Sequence, residues 1–300
     1  MPTYKHIQVT PVGGSLGAEV AGVDVANGVS SEAMQEIRRA FAEHLVIVMR
    51  DQTISEEQQI AFGRRFGPLT KTVGLVGDAH VFMVDRKADD TGPNIGGHWH
   101  ADGSQMERPP LGSLLYAMDV PPYGGDTMFC NLCDAYDSLS TGMKALADRL
   151  VLVHSGKIGY AGKGHVNTGF HDKHKEMFDF AAGSIEAEHP LVRVIPETGR
   201  KALWAPGPLS FNFKDMTQEE SEPLLKYFRG VAVRPEFTCR FRWTKGALLL
   251  WDNRATYHYA LNDYAGFGRT MRRIQIEGER PYGPAMPLRE SAPREVEAAQ

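Results

Sequence analysis

The chain has 300 residues, of which 42 % are hydrophobic and 23 % are charged, as in an ordinary globular protein. Its 31 glycines and 18 prolines make it rich in turns, but the composition excludes collagen, coiled coil and wholesale disorder. A net charge of −4 offers no general basic face, so we expect no nucleic-acid partner. No apolar run, such as Ala247 to Trp251, is longer than five residues, far fewer than the roughly 20 that span a bilayer, so we expect no membrane segment.

The three cysteines, Cys130, Cys133 and Cys239, are few for so long a chain. The first residues do not show the apolar stretch of a secretion signal, and few cysteines are typical of a reducing compartment, so we expect a cytoplasmic protein. Cys130 and Cys133 form a C-x-x-C pair that could hold a metal or act in redox chemistry. The simpler interpretation is two small residues at a junction between a strand and a helix.

Helices and strands alternate in the first third of the chain. Apolar residues at helical spacing predict a helix from Ser31 to Leu45, and the β-branched run from Leu45 to Met49 predicts a buried strand. A second helix is predicted after Ser55, which forms a capping box with Gln58, and Gly67-Pro68 ends it.

The middle and the end of the chain show short apolar or alternating runs separated by turn residues. The predicted strands are Val81 to Val84, Leu114 to Met118, Thr127 to Phe129, Leu150 to Val153, Leu191 to Ile195, Phe237 to Trp243, Ala247 to Trp251 and Arg273 to Ile276. Helices are predicted at Ser140 to Leu150 and at Thr217 to Phe228, where Thr217 opens a capping box. Many short strands predict a sandwich or barrel, and without a clean break we expect one domain over 1–300.

Two segments do not follow this pattern. The polar, glycine-rich stretch 160–187 has no periodicity, and a stretch of this length is typical of an active-site lid or a disordered insert. The stretch 283–300 is rich in proline and then charged, which predicts an extended C-terminal tail.

The pattern His98-Trp99-His100-Ala101-Asp102 brings two metal-ligating side chains close together. On an extended strand residues i and i+2 share a face, so His100 and Asp102 could offer a nitrogen and a carboxylate to one ion. Two histidines and one carboxylate on one triangular face are typical of non-haem Fe(II) oxygenases. By itself an H-x-D pattern has little specificity.

A second cluster lies after the predicted strand Ala247 to Trp251. It contains His258, and Arg269 and Arg273 follow on what we expect to be one face of a strand. Two guanidinium groups on an inward face would be costly unless they met anions. The simpler alternative is a basic edge strand, since Arg272 is there too. A turn at Gly124-Gly125 delivers the Thr127 hydroxyl onto the next predicted strand.

Together these residues resemble the Fe(II)- and 2-oxoglutarate-dependent dioxygenases of the taurine and dichlorophenoxyacetate dioxygenase type, TauD/TfdA. The resemblance begins near Thr10, includes the Phe66-Gly67 turn and ends near Glu279. It implies a mainly β fold with flanking helices around a double-stranded β-helix, or jelly-roll, core. It also implies a homo-oligomer, either a dimer or a tetramer.

The resemblance assigns roles to individual residues. It implies that His100, Asp102 and His258 hold Fe(II), and that Thr127 and Arg269 bind the distal carboxylate of 2-oxoglutarate. The reaction would use O2, release succinate and CO2, and hydroxylate or sometimes cleave a small organic anion. Arg273 would bind the anionic group of that substrate, or alternatively an internal carboxylate or the keto-acid end of 2-oxoglutarate.

The chain also departs from the taurine-acting members. It has no histidine soon after Phe66-Gly67, and Gly96-Gly97 stands where they carry an asparagine. We therefore expect a carboxylate, sulfonate or sulfate ester other than taurine. Halogenation is disfavoured, because related halogenases replace the carboxylate that Asp102 retains. The alternative outside enzymes is a non-catalytic jelly-roll protein that binds a metal or a small acid.

Three apolar residues are further candidates for the lining of the site. Trp251, Phe211 and Leu209 could line it or belong to the core.

Overall fold

The structure is a computed structural model that describes residues 3–71, 80–92, 94–157, 185–204, 207 and 209–287. The predicted lid, 160–187, lies outside these residues except for 185–187, and the predicted tail, 283–300, lies outside them except for 283–287. In the described ranges no helix is long and apolar enough to cross a membrane. The assignment of 1–300 to a single domain stays a prediction.

The described ranges contain α1 (Ser31–His44), α2 (Glu56–Arg64), α3 (Leu132–Asp137), α4 (Thr141–Ala147) and α5 (Gln218–Ala232). The two predicted capping boxes are both present. Ser55 and Gln58 exchange hydrogen bonds at the start of α2, and Thr217 and Glu220 do so at the start of α5. Because a capping box satisfies two backbone N–H groups that the helix itself leaves unpaired, these sequence signals locate the helix starts.

The strands confirm every run that the sequence analysis predicted and add several others. In chain order they are β1 (Gln8–Pro11), β2 (Ala18–Ala21), β3 (Val46–Met49), β4 (Leu69–Thr70), β5 (Val81–Arg86), β6 (Gly112–Asp119), β7 (Thr127–Asn131), β8 (Val151–Ser155), β9 (Glu186–Pro190), β10 (Val192–Val194), β11 (Lys201–Leu203), β12 (Ser210–Phe213), β13 (Thr238–Phe241), β14 (Leu248–Asp252), β15 (Thr256–Ala260) and β16 (Arg269–Ile276).

A large sheet forms one wall of the fold. Its strand order is β1-β2-β3-β14-β6-β16-β4, with β5 also paired to β16, and only the β2–β3 pair is parallel. Helices α1 and α2 cover its outer face, where Ile37 and Phe62 pack in one cluster with Leu114 and Ile274. The inner face carries the alternate side chains of the same strands, as the two-residue period of a strand requires.

A smaller antiparallel sheet, β13-β7-β15, packs against that inner face. Phe129 and Phe241 of the small sheet share a buried cluster with Leu249 and Met271 of the large sheet. Further strands form the β12-β8-β9 sheet and the β10-β11 pair. Two sheets facing each other across an apolar core, with helices outside, confirm the predicted jelly-roll class.

Strand β16 is an interior strand, so the alternative of a basic edge strand is wrong. It pairs with β6 on one side and with β4 and β5 on the other. Arg272 points toward α2, where its Nε donates to Gln59 Oε1 over 2.7 Å. Arg269 and Arg273 lie on the opposite, inner face, as the sequence spacing predicts, and both therefore lie near the candidate site.

Candidate functional site

His100 and His258 face each other across an isolated antiparallel bridge. Each backbone N–H donates to the other's carbonyl, over 3.1 and 2.9 Å, and the ring centroids are 4.0 Å apart. Asp102 lies beside both rings, with its Oδ1 3.8 Å from each Nε2 atom. The ligand atoms of the three residues all lie within 4.8 Å of one another. The structure therefore brings together the three residues that the sequence analysis selected.

The prediction that His100 and Asp102 lie on one extended strand is wrong. Residues 102–108 form turns and bends after the bridge at His100. Asp102 is held instead by Asn253, whose Oδ1 accepts from the Asp102 N–H over 2.7 Å and whose Nδ2 donates to the Asp102 carbonyl over 2.9 Å. Asn253 also donates to the Pro110 carbonyl. Sequence reasoning missed this role, and its only signal was the polar turn after a buried strand.

Nε2 of His100 and Nε2 of His258 both lie near Oδ1 of Asp102, and burial favours the neutral form of both rings. Nδ1 of His100 donates to the His98 carbonyl over 2.8 Å, which leaves Nε2 without a proton. Burial lowers the pKa of His100, and burial together with the neighbouring His100 lowers the pKa of His258 well below its ordinary value. Neutral imidazoles are the form that binds metal ions.

The two oxygens of Asp102 have different surroundings. Oδ2 accepts from the Ser113 hydroxyl over 3.0 Å and from Nε2 of Gln275 over 3.1 Å. Nη1 of Arg273 lies 3.2 Å from Oδ1 and 3.3 Å from Oδ2. Burial by itself would raise the pKa of Asp102, but the positive charge of Arg273 and the other partners outweigh it and hold the pKa below its ordinary range. The carboxylate is therefore anionic, and Oδ1 faces the histidines.

Two imidazole nitrogens and one carboxylate oxygen are the ligand set of a non-haem Fe(II) ion. Such a set leaves the other coordination positions of the ion open to further ligands. Among the described residues this is the one group of three or more histidine, cysteine, aspartate or glutamate residues able to share an ion. Trp251 packs beside it, with its ring 4.8 Å from that of His258.

Arg269 lies nearby with part of its guanidinium unpartnered. The residue is 5 % exposed, and within the described ranges its Nε and Nη2 atoms have no hydrogen-bond partner. These two nitrogens form one edge of the guanidinium, the edge that binds a carboxylate through two parallel hydrogen bonds. Burial lowers the pKa of Arg269, while a hydrogen bond with Tyr264 acts in the opposite direction. A buried cation with a free bidentate edge fits the distal carboxylate of 2-oxoglutarate.

Thr127 and Arg269 meet through a third residue. The buried Thr127 hydroxyl accepts a hydrogen bond from Nε1 of Trp243 over 3.0 Å, and the Arg269 guanidinium lies over the Trp243 ring. Gly125 adopts φ +64°, and a Cβ there would lie 3.4 Å from Cδ of Arg269. The turn before β7 therefore needs glycine both for its left-handed backbone and for the space beside the guanidinium.

Arg273 lies between the Asp102 carboxylate and Phe82. Its guanidinium carbon is 5.0 Å from the Phe82 ring centroid, and its Nε has no hydrogen-bond partner in the part of the chain that the structure describes. The contact with Asp102 is the internal-carboxylate pairing that the sequence analysis named as an alternative, but it uses one nitrogen only. The Nε–H group is therefore left for a further anion.

Cys130 and Cys133 lie at the junction of β7 and α3, as the simpler interpretation predicted. Both are buried and outside any disulfide. Burial raises the pKa of the Cys133 thiol to about 12 and raises that of Cys130 as well. Thiols held in this protonated state are poor nucleophiles and poor metal ligands.

Comparison with known proteins agrees with this geometry. The profile of the family described as taurine catabolism dioxygenase TauD, TfdA family, matches residues 8–275. The chain is 33 % identical over 285 residues to an alpha-ketoglutarate-dependent sulfate ester dioxygenase of Pseudomonas putida, covering 94 % of this chain and 93 % of the relative. It is 34 % identical over 283 residues to an alkylsulfatase of Acinetobacter baylyi, covering 92 % and 86 %. A crystal structure of a taurine dioxygenase from Burkholderia xenovorans superposes with a TM-score of 0.78 at 33 % identity, covering 94 % of each chain.

Proposed function

The chain belongs to the TauD, TfdA family of dioxygenases, and we propose that it oxidises a small organic anion, with an alkyl sulfate ester as the first candidate. It is an oxidoreductase that depends on Fe(II), 2-oxoglutarate and O2, since its relatives are alpha-ketoglutarate-dependent dioxygenases. That assignment also favours an enzyme over a non-catalytic binding protein. The observation that carries the proposal is the convergence of His100, Asp102 and His258 beside the guanidinium of Arg273.

In this proposal the three converging residues hold the iron. The His98 carbonyl fixes the tautomer of His100, and Asn253 fixes the backbone of Asp102, so both ligands are in place before the metal arrives. Thr127 and the free edge of Arg269 take the distal carboxylate of 2-oxoglutarate. With iron and 2-oxoglutarate bound, the site supplies an oxidant that replaces one C–H bond of the substrate by C–OH, with release of succinate and CO2.

Arg273 is the residue proposed to orient the substrate. It lies on the same inner face as Arg269 but contacts Asp102, so an anion bound to it is held beside the metal ligands. An anion there would bring the carbon next to the anionic group toward the iron. Phe82, against which the guanidinium packs, would limit the directions from which that anion approaches.

A sulfate ester is the first candidate because the relatives in Pseudomonas putida and Acinetobacter baylyi act on compounds of this class, by their names. Hydroxylation of the carbon that bears the ester oxygen gives an unstable hemiacetal-type product. Its C–O bond to sulfate breaks, so that an aldehyde and hydrogen sulfate leave together. Sulfonates and aryloxyalkanoates are the other anions to be tested, and taurine is disfavoured by the departures at Phe66-Gly67 and Gly96-Gly97.

The decisive experiment scores succinate formation and O2 uptake with a panel of alkyl sulfates, aryloxyalkanoates, taurine and neutral analogues. In Arg273→Gln, at saturating Fe(II), we expect the KM for the anionic substrate to rise strongly and 2-oxoglutarate to be consumed without product. Affinity for 2-oxoglutarate should stay nearly normal, and Arg149→Gln, at an exposed arginine, is the matched control. If Arg273→Gln weakened 2-oxoglutarate binding and left substrate selectivity untouched, the substrate role would be refuted.

The metal site is tested by its iron content. His100→Ala, Asp102→Ala and His258→Ala should each lose bound Fe(II) and turnover, because each removes one of three ligands. His98→Ala is the control, since the backbone carbonyl that orients His100 remains. Full iron-dependent turnover in any of the three ligand variants would contradict the assignment.

We also infer a cytoplasmic location and a homo-oligomer. The first is supported by three buried cysteines that form no disulfide, and the second by the family resemblance. Light scattering of the purified chain tests the oligomer, and a monomer at micromolar concentration would refute it.

A further inference from the structure

We propose that Trp243 is a positioning residue for 2-oxoglutarate, which orients the Thr127 hydroxyl and supports the Arg269 guanidinium. The inference rests on the proposed roles of Thr127 and Arg269 in binding the distal carboxylate. Trp243 itself follows β13, is 5 % exposed and packs in the cluster between the two main sheets.

The contact with Thr127 determines what that hydroxyl can do. An indole N–H only donates, whereas a hydroxyl has one proton to donate and lone pairs that accept. Nε1 of Trp243 donates to Oγ1 of Thr127 over 3.0 Å, so one lone pair is occupied. Because the structure records no acceptor for the Thr127 hydroxyl among the residues it describes, the proton is left for a bound acceptor. An ionised carboxylate is such an acceptor, since it has lone pairs only.

The same indole ring supports the charged partner. The guanidinium carbon of Arg269 lies 5.6 Å from the Trp243 ring centroid, within the range of a cation–π contact. Among the described residues, the Nε and Nη2 edge of this guanidinium has no hydrogen-bond partner, so it stays open to a carboxylate. Trp243 therefore contacts both groups that would donate hydrogen bonds to the carboxylate, the charged guanidinium of Arg269 and the neutral hydroxyl of Thr127.

The other buried tryptophans show that this arrangement is specific to Trp243. Nε1 of Trp204 donates to a backbone carbonyl, that of Asn253, as is usual for a core tryptophan. Nε1 of Trp251 is buried and has no hydrogen-bond partner among the residues that the structure describes. Of these three, only Trp243 directs its N–H to a side chain proposed to bind the co-substrate.

The test is a double-mutant cycle on 2-oxoglutarate affinity, measured by anaerobic calorimetry on the Mn(II)-loaded enzyme. Trp243→Phe keeps an aromatic ring and deletes the N–H, and Thr127→Val deletes the hydroxyl. Each should weaken 2-oxoglutarate binding by about three- to tenfold, the net worth of one hydrogen bond. In the Thr127→Val background, Trp243→Phe should lose most of its effect, because the hydroxyl that it orients is gone.

Controls separate positioning from general loosening of the fold. Trp204→Phe deletes another buried indole N–H, and its effect on 2-oxoglutarate affinity should add fully to that of Thr127→Val. Mn(II) affinity should stay the same in Trp243→Phe. Full additivity of Trp243→Phe with Thr127→Val, or no loss of affinity in Trp243→Phe, would overturn the inference. If Arg269→Ala also bound 2-oxoglutarate normally, the proposed co-substrate site itself would fail, which is a different result.

A measurement on the wild-type chain does not depend on how the variants fold. With indole nitrogens labelled and Zn(II) in the site, the Nε1–H resonance of Trp243 should shift as 2-oxoglutarate is added, because the Thr127 hydroxyl to which it donates gains an acceptor. A resonance that stays fixed at saturating 2-oxoglutarate would also overturn the inference.

Discussion

Ser113→Ala is expected to weaken iron binding although Ser113 is not a ligand. The residue lies on β6, is fully buried, and donates from Oγ to Oδ2 of Asp102 over 3.0 Å. Gln275 donates to the same oxygen over 3.1 Å. These two contacts keep Oδ2 turned away from the histidines and leave Oδ1 for the metal. Without the hydroxyl, the carboxylate can rotate toward Arg273, and the free energy of that rotation opposes metal binding.

The expected loss of Fe(II) affinity follows from the negative charge on the acceptor, Oδ2 of Asp102. A hydrogen bond to an ionised group contributes about 1.5–3 kcal/mol, and because Oδ2 keeps its other partners we take the lower limit, about 1.5 kcal/mol. This corresponds to roughly a tenfold weaker Fe(II) affinity, the lower end of the effect of partners that orient metal ligands. The Ser113 contact also lowers the pKa of Asp102. Its loss raises that pKa, so metal binding in the variant should be lost at a higher pH as the solution is acidified.

The assay is anaerobic titration of the apo-protein with Fe(II), repeated at several pH values. Ser221→Ala is the matched control, because Ser221 is equally buried but hydrogen bonds at the start of α5. It should lower stability and leave iron affinity unchanged. The reasoning would be refuted if folded Ser113→Ala bound Fe(II) as tightly as wild type, or if both serine variants lost iron affinity equally.

Two further predictions concern stability and the co-substrate. Burial lowers the pKa of His189 from 6.5 to about 4. Between these pH values His189 binds a proton in the unfolded chain but not in the folded one. The free energy of unfolding therefore falls as the pH is lowered, by about 3 kcal/mol over the whole interval. Urea unfolding at a series of pH values measures this effect, and in His189→Gln the free energy of unfolding should decline less as the pH is lowered. The same pH dependence in the variant and the wild type would contradict the prediction. Gly125→Ala should lower the free energy of unfolding by about 1–2 kcal/mol and weaken 2-oxoglutarate binding several-fold. Gly125 has φ +64°, and the new Cβ would lie within 3.4 Å of atoms of Arg269 and Tyr264. Gly142→Ala, where a Cβ meets nothing within 4 Å, should do neither.

Local signals in the sequence were sufficient to predict most of the regular elements. The capping boxes at Ser55 and Thr217 locate two helix starts, because capping depends on residues three positions apart. The apolar runs locate the main strands, because burial on a sheet follows a period of two or a continuous run. Strands such as β12 and β15 lack this signal, because they contain polar residues. Those residues become buried only when neighbouring strands pack against them.

The candidate ligands could also be selected from the sequence, since His100, Asp102 and His258 are chemically suited to iron and stand at spacings that resemble one family. How these side chains are held could not be predicted in this way, because it depends on contacts between distant parts of the chain. Asn253 reaches the backbone of Asp102 from 151 positions away, and Trp243 reaches Thr127 from 116 positions away. No local period encodes such contacts. They depend on which strands pair, in which register, and on how closely the two sheets pack, so the residues that orient the ligands emerge only when the sheets are assembled.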